Sequence, residues 1–304
     1  MKKLIAIIGP TAVGKSRLAL YLAQSLDSEI VSADSRQVYR YMDIGTAKPS
    51  KDELSLVHHH LIDIIRPDED FSLAQYKQLA GKAIEGIIQR QRIPLLVGGS
   101  GQYVWAVVEG WGIPRVPPNP ALRQELEVKA ARGGGEELYR QLESINPAAA
   151  AGIDRYNTRR VIRALEVSQI KNTTPQPSKS NPYDSLIIGL TLDRTELYRR
   201  IDARVDRMIK QGLVEEVAGL VEKGYRLELP SMSGIGYKQI GHYLKGKTTL
   251  EAAVQQVKFE SHRLVRQQYN WFSLKDGRIR WFNVGRRGVG VDIMDAVTKF
   301  ISKG

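Results

Sequence analysis

The chain has 304 residues, 42% of them hydrophobic and 26% charged, ordinary values for a globular protein able to bury a substantial core. Its 45 Lys and Arg outnumber 33 Asp and Glu, and the resulting net charge of +12 favours a polyanionic partner such as nucleic acid or an acidic membrane surface. The absence of cysteine excludes disulfides, thiolate chemistry and Cys-ligated zinc, and no apolar run approaches the ~18 residues of a membrane span, so a cytoplasmic protein without a membrane anchor is expected.

The run Leu4-Ile5-Ala6-Ile7-Ile8 predicts a buried strand, begun too early to leave room for a signal peptide. Gly9-Pro10-Thr11-Ala12-Val13-Gly14-Lys15-Ser16 follows and fits G-x-x-x-x-G-K-[ST] in full. Leu18 and Leu22 then repeat at helical spacing. Strand, glycine loop and helix together make an anion site: backbone N–H groups curl around phosphate oxygens and the helix dipole adds positive potential. Lys15 is placed to neutralise a phosphate and the Ser16 hydroxyl to hold Mg²⁺. The motif reads as phosphate or pyrophosphate, without specifying a nucleoside triphosphate.

Further strands are predicted at 29–33, ending at Asp34, at 60–65, and at 94–99, ending in Gly98-Gly99-Ser100. Ser72-Leu73-Ala74-Gln75 is a capping box opening a long helix with Leu73, Tyr76, Leu79, Ala83 and Ile87 on one side. This alternation predicts a parallel sheet with functional groups at the carboxyl ends of its strands. The glycine loop, Asp34 and Ser100 all occupy such ends.

Four prolines at 114, 117, 118 and 120 mark a boundary. Helices are predicted at 121–132, 136–145 and 158–170, and a Pro/Ser/Asn/Lys-rich hinge at 171–184. The chain then returns to the sheet with strand 186–190, an Asp193-capped helix carrying Leu197, Ile201, Val205 and Ile209 inward, a long helix at 250–272, strand 280–284 and a last helix. The organisation expected is an α/β fold: a P-loop parallel sheet flanked by helices over 1–116 and 183–304, with a small all-helical insertion at 117–182.

Asp34 is the best candidate acid or base; its position alone allows a Mg²⁺ ligand, a general base or a loop cap. A hydrolysing P-loop enzyme needs a second acidic strand end for its metal. Here the most apolar strand ends in glycines, and no guanine-reading Asn-Lys-x-Asp occurs. These absences point to pyrophosphate held as a leaving group. Arg159, Arg160 and Arg163 share one helix of the insertion, and Arg200, Arg204 and Arg207 another. The second set reads either as exposed charge paired with Asp202 and Asp206 or, at Arg204, as a phosphate ligand. Lys258, His262 and Arg266 form a stripe on the long helix that suits nucleic acid; Trp271 and Phe272 read as core. His58, His59 and His60 suggest a metal only weakly, and Asp63 reads as a buried structural group.

With these residues in view, the chain resembles the bacterial tRNA dimethylallyltransferases, the tRNA isopentenyltransferases. The resemblance rests on Gly9–Ser16, Ser32–Tyr39, Met42-Asp43-Ile44-Gly45-Thr46-Ala47-Lys48-Pro49, His59–Ile64, Ile93–Ser100, Arg160–Val167 and Gly234–Gln239. It implies transfer of a dimethylallyl group from dimethylallyl diphosphate to the exocyclic amine of the tRNA adenine just 3′ of the anticodon. It implies that Asp34 is the general base and that Ser16 and Arg204 stabilise the departing pyrophosphate with Mg²⁺. Diphosphate contacts carry over to Gly9, Thr11, Ala12, Val13, Gly14, Lys15 and Ser16. tRNA contacts carry over to Asp34, Ser35, Arg36, Gln37, Ser100, Arg123, Arg159, Arg160, Arg163, Gly236, Tyr237, Lys238 and Arg266, with the insertion closing over the anticodon loop. A monomer is expected. The sequence departs from the family pattern at Gln267 and Ser273, where relatives commonly carry basic residues, and at Ser233, where some do. Three other readings are a prenyltransferase acting on free adenine nucleotides, a P-loop small-molecule kinase, and a non-catalytic RNA-binding module; the arginine-bearing insertion argues for a large RNA substrate.

Overall fold

A computed structural model of the protein describes residues 2–113, 119–169 and 181–303. The prolines at 114, 117 and 118, and most of the hinge expected at 171–184, lie outside those residues. The chain divides into two compact units, Met1–Gly110 with Ser180–Gly304, and Trp111–Lys179.

The larger unit begins with β1 (Lys3–Ile8), whose last five residues are fully buried. A strand covered on both faces reads as one apolar run rather than an alternation. α1 (Lys15–Ser25) packs Ala19, Leu22 and Ala23 into the same core as Ile5 and Ile7. β2 (Glu29–Ser32) is followed by α2 (Lys51–Leu56), opened by a Ser50–Glu53 capping box not anticipated from the sequence. β3 is only His59–His60. The strand expected at 60–65 fails because Leu61 and Asp63 take left-handed backbone conformations, φ 66 and 56. The chain there makes a loop, with Asp63 N–H on the Gln37 carbonyl and Ile64 N–H on that of Val38. Asp63 is exposed rather than buried, and pairs with Lys48.

α3 (Leu73–Gln89) opens on the expected Ser72–Gln75 box, but its buried stripe is Tyr76, Ala80, Ile84 and Ile87, and Leu79 faces solvent. β4 (Pro94–Gly98) leads into α4 (Gly101–Val108), almost wholly buried.

The smaller unit is helical. α5 (Pro120–Lys129) starts with Asn119 capping and proline in the first turn, as expected. It ends earlier than expected, in a π turn at Ala130–Gly134 where Gly133 has φ 91. α6 (Gly135–Ile145), α7 (Pro147–Ala151) and α8 (Thr158–Ser168) follow. Leu126, Leu138, Leu142, Val161 and Leu165 form this unit's own core.

Back in the larger unit, β5 (Asp184–Thr191) leads to α9 (Arg194–Lys210), α10 (Leu213–Glu222), α11 (Tyr237–Leu244), α12 (Leu250–Trp271), β6 (Ile279–Asn283) and α13 (Val289–Ser302). Among the described residues the strands form one six-stranded parallel sheet in the order β3-β2-β4-β1-β5-β6. β1 lies between β4 and β5, so the chain leaves it toward one side and returns on the other. That reversal opens a crevice at the carboxyl ends of the strands. A second core, built from Val38, Met42, Met208, Val217 and Tyr237, fixes the segment after β2 against α9 to α12.

Candidate active site

The glycine loop joins β1 to α1. Gly9 has φ 141, and a Cβ there would lie 2.5 Å from the Leu190 carbonyl oxygen, so the first loop position admits only glycine. α1 begins after Gly14, φ 104, without a side-chain cap, leaving its first N–H groups to an anion. Lys15 Nζ donates to the Gly9 and Pro10 carbonyls at 3.0 and 2.7 Å, and Ser16 is exposed.

Asp34 follows the end of β2, where Ala33 N–H still donates to Val97 O at 2.7 Å. Its Oδ1 accepts the Arg36 N–H at 2.8 Å, and the adjacent Ser35 N–H donates to Ser100 Oγ at 3.0 Å. A rigid strand and a serine from the next strand's end thus hold the carboxylate at the mouth of a cavity of about 550 Å³. Thr11, Gly45, Thr46, Ser100, Tyr103 and Arg204 line that cavity, with Ile201, Val205, Met208, Val257 and Leu264 as an apolar wall.

Arg204 stands on α9, whose N-terminus is capped by Asp193 Oδ1. It also lines a second cavity of about 430 Å³, formed by Gly14, Lys15, Ser16, Arg17, Arg199, Arg200 and Arg207. One guanidinium therefore borders both the Asp34 cavity and the glycine loop. Asp202 and Asp206, the other partners considered for these arginines, are held by His262 and Lys258 of α12, at 2.9 and 2.7 Å. Arg199 and Arg200 pair with Glu196. Among the described residues no carboxylate ion-pairs with Arg204 or Lys15.

The electrostatics follow. Burial, with the Arg204 charge second and Asp34 opposing, pulls the Lys15 amine from 10.5 down to about 7. Burial also lowers Arg204, with Asp34 opposing and Arg207 adding. Two neighbouring cations that the fold itself disfavours make a site waiting for anionic charge. Lysine in the unfolded chain stays protonated to about 10.5, so between about 7 and that value the unfolded chain binds more protons and the folded state gains stability as pH rises. Lys15→Met is accordingly expected to raise the melting temperature of the unliganded protein at neutral pH and to flatten its rise toward pH 9. Thermal melts of both proteins across that range check it; a variant that melts below the parent at every pH contradicts it.

The family model described as IPP transferase matches residues 37–275. The chain is 53% identical to the tRNA dimethylallyltransferase of Roseiflexus castenholzii over 275 residues, 90% of each chain. It is 47% identical to that of Dehalococcoides mccartyi over 306 residues, 99% of this chain and 93% of that one. The chain belongs to the IPP transferase family. Among solved structures, the full-length tRNA isopentenylpyrophosphate transferase of Bacillus halodurans superposes with a TM-score of 0.75 at 41% identity, covering 100% of this chain and 98% of that one. A eukaryotic dimethylallyltransferase captured acting on tRNA gives 0.83 at 25% identity, covering 99% and 80%.

In this IPP transferase the Asp43–Pro49 stretch has a physical explanation that the sequence did not disclose. Glu216 of α10 accepts the N–H groups of Asp43, Ile44 and Gly45 at 2.8, 2.7 and 3.1 Å, and the Tyr237 hydroxyl at 2.6 Å. Lys48 is buried and donates to the Tyr39 carbonyl and Asp43 at 2.6 Å each, and to Asp63. The loop thereby presents Gly45 and Thr46 to the Asp34 cavity. Glu216 carries no motif of its own and only the tertiary contact reveals it.

The residues matched to tRNA contacts separate by what already holds them. Arg36 donates to the Pro230 and Ser231 carbonyls at 2.9 and 3.2 Å, and Gln37 Nε2 to the Ala47 carbonyl at 3.2 Å. Tyr237 is buried, with burial and then Glu216 pushing its phenol well up, and Gly236 caps α11. Arg123 and Arg163 both pair with Glu166, which is buried; burial alone would raise that carboxyl, yet Arg123 leads the contacts that hold it below its usual range. Arg159, Arg160 and Lys238 are exposed. The Lys258–His262–Arg266 stripe faces α9 rather than solvent alone: Lys258 and His262 pair there as above, and Arg266 donates to Tyr198 Oη at 3.4 Å. Phe272 is core as expected, whereas Trp271 is partly exposed and lines the Asp34 cavity. Of the three departures, Gln267 lines that cavity, Ser233 Oγ accepts from Arg36 at 3.3 Å, and Ser273 Oγ accepts from Lys275 N–H at 3.2 Å.

Glu29, His58 and His60 bring three donor atoms within 4.8 Å of one another. They sit at the amino end of β2 and beside β3, away from the strand ends that carry the site. Glu29 already binds Arg90 and Arg92 at 2.7 and 3.3 Å; burial pushes its carboxyl up, but Arg90, His60 and Arg92 together bring it down to about 2. In the structure Glu29 thus serves as the shared partner of Arg90, Arg92 and His60.

Proposed function

We propose that this IPP transferase moves a dimethylallyl group from dimethylallyl diphosphate to the exocyclic amine of the tRNA adenine just 3′ of the anticodon, acting as a cytoplasmic monomer. The observation that carries the reading is the shared border: Arg204 lines both the Asp34 cavity and the glycine-loop cavity. A base on one side and an anion cradle on the other, with a cation between, fit displacement of a diphosphate by a nucleophile. No helix among the described residues is long and apolar enough to cross a membrane.

In the reaction the adenine nitrogen bonds to the allylic carbon as that carbon's bond to the diphosphate oxygen breaks. The electron pair leaves with the diphosphate, and the nitrogen's proton passes to the Asp34 carboxylate. The exocyclic amine is a poor nucleophile, and a positioned base helps by taking its proton as the bond forms. Lys15, Arg204 and the loop N–H groups meet the charge that grows on the leaving group. The Ser16 hydroxyl, beside a cradle poor in carboxylates, would hold a Mg²⁺, which would supply further neutralisation of the leaving group when bound. The apolar wall of Ile201, Val205, Met208, Val257 and Leu264 suits the hydrocarbon group and excludes water. The adenine has to leave its stack to enter such a cavity.

For the RNA itself, the split among the arginines gives separate expectations. Arg159→Ala and Arg160→Ala should each weaken tRNA binding and lower its salt slope by about 1, as loss of a phosphate contact does. Glu166→Ala should instead destabilise the helical unit by about 2 kcal/mol, at the low side for a buried pair because both guanidiniums are half exposed. Filter binding at several salt concentrations and protease sensitivity of the unit separate the two; an unchanged salt slope in both arginine variants contradicts the first. The proposed reaction is tested by incubating the protein with labelled dimethylallyl diphosphate, Mg²⁺, and tRNA, AMP or no acceptor. Label on tRNA alone is expected; label on AMP but not tRNA overturns the reading.

A further inference from the structure

Gln268 is a buried amide in the last turns of α12. Its Oε1 accepts the Thr11 N–H, inside the glycine loop, at 2.8 Å, and its Nε2 donates to the Gly99 carbonyl, just beyond β4, at 3.2 Å. The two partners fix the amide's orientation, since a flipped side chain would set donor against donor and acceptor against acceptor. The approach is close: a Cβ at Gly99 would lie 2.3 Å from Nε2, so glycine at this position is the condition for the contact.

The two loops held by Gln268 carry the two halves of the site. Thr11 belongs to the diphosphate cradle. Gly99 precedes Ser100, whose Oγ receives the Ser35 N–H beside Asp34. A continuous path therefore runs from the cradle through Thr11, Gln268, Gly99, Ser100 and Ser35 to the Asp34 carboxylate. The same turn of α12 is tied to α4, with Trp105 Nε1 donating to the Trp271 carbonyl at 3.0 Å. The side chain thus hangs from a backbone fixed on both sides, at the edge of the Asp34 cavity that it helps to line.

We propose that Gln268 is a positioning residue that sets the spacing between the diphosphate cradle and Asp34, so that leaving group and nucleophile are held in line. The inference rests on the dimethylallyl transfer proposed above. Small misplacement of reacting groups costs up to ~10²-fold in rate, so spacing of this kind shows in kcat.

Two substitutions attack the contact from opposite sides. Gln268→Met keeps the length and removes both hydrogen bonds; Gly99→Ala keeps the glutamine and blocks its approach. For both, kcat with tRNA, the Kd for inorganic diphosphate by calorimetry, and the Kd for tRNA are measured against the parent. Expected are a fall in kcat of ~10–100-fold, a weaker diphosphate Kd, an unchanged tRNA Kd, and a double variant no worse than the poorer single one. Wild-type kcat and diphosphate affinity in either folded variant overturn the inference, as does a loss of tRNA affinity as large as the loss of kcat. If the parent binds diphosphate but transfers nothing to tRNA, the reaction reading fails instead, and the diphosphate comparison still reports on Gln268.

Discussion

Replacing Asp34 with alanine is expected to lower kcat for dimethylallyl transfer by ~10²–10⁴-fold, the usual contribution of a positioned general base, while tRNA affinity holds. The structure lets the alternatives for this carboxylate be separated. As a loop cap, Asp34 does one thing, accepting the Arg36 N–H at 2.8 Å. Asparagine keeps that acceptor and cannot take a proton. Asp34→Asn should therefore fold as the parent does and remain as slow as Asp34→Ala. Wild-type rate in the asparagine variant would reduce Asp34 to a cap. A fall in tRNA binding equal to the fall in rate would make it a binding residue.

Arg204→Gln carries the second large effect. Loss of one preorganised donor at a site of developing charge costs ~10²–10³-fold in kcat, and here the donor is also a full positive charge. Lysine is a poor substitute, because the planar fork that can face both cavities is lost. A pH signature accompanies the loss. Burial is the main reason the Lys15 amine sits at about 7, and repulsion by Arg204 is the second. In the parent, kcat/KM for the diphosphate substrate should fall above about that pH, as Lys15 in the free enzyme gives up its proton. Removing Arg204 takes away a charge that disfavours protonated Lys15, so the residual activity should hold to higher pH. Steady-state profiles of the two proteins read this shift; an alkaline limb that stays put, or moves down, contradicts the proximity of the two cations.

Much of this was legible beforehand, for identifiable reasons. β1 and β4 are doubly covered strands, and such strands announce themselves as apolar runs. The glycine loop is legible from its G-x-x-x-x-G-K-[ST] pattern, and Asp34 is a candidate because it ends a strand of a parallel sheet. What failed was local. The 60–65 strand has the right composition, but left-handed residues at Leu61 and Asp63 turn it into a loop, and no periodicity encodes that. α2 and α4 are short, and α4 is buried except at Gln102, so neither shows an amphipathic stripe. The α12 stripe is visible in the sequence while the surface it faces is not: Asp202 and Asp206 of α9 lie against His262 and Lys258 from outside its own sequence window. Glu216 and Gln268 escaped for the same reason. Each is one polar residue in an ordinary helix, and its meaning lies in backbone N–H and carbonyl groups more than 150 residues away.

The site of the new bond decides the reaction, and nucleoside analysis reads that site directly. Unmodified tRNA is incubated with the protein, Mg²⁺ and labelled dimethylallyl diphosphate, then cut at defined positions and digested to nucleosides. All label is expected to elute as an adenosine alkylated on its exocyclic amine, from the fragment holding the residue 3′ of the anticodon, with an equal amount of diphosphate released. Label on another nucleoside, or diphosphate released without any alkylated adenosine, would contradict the proposed reaction.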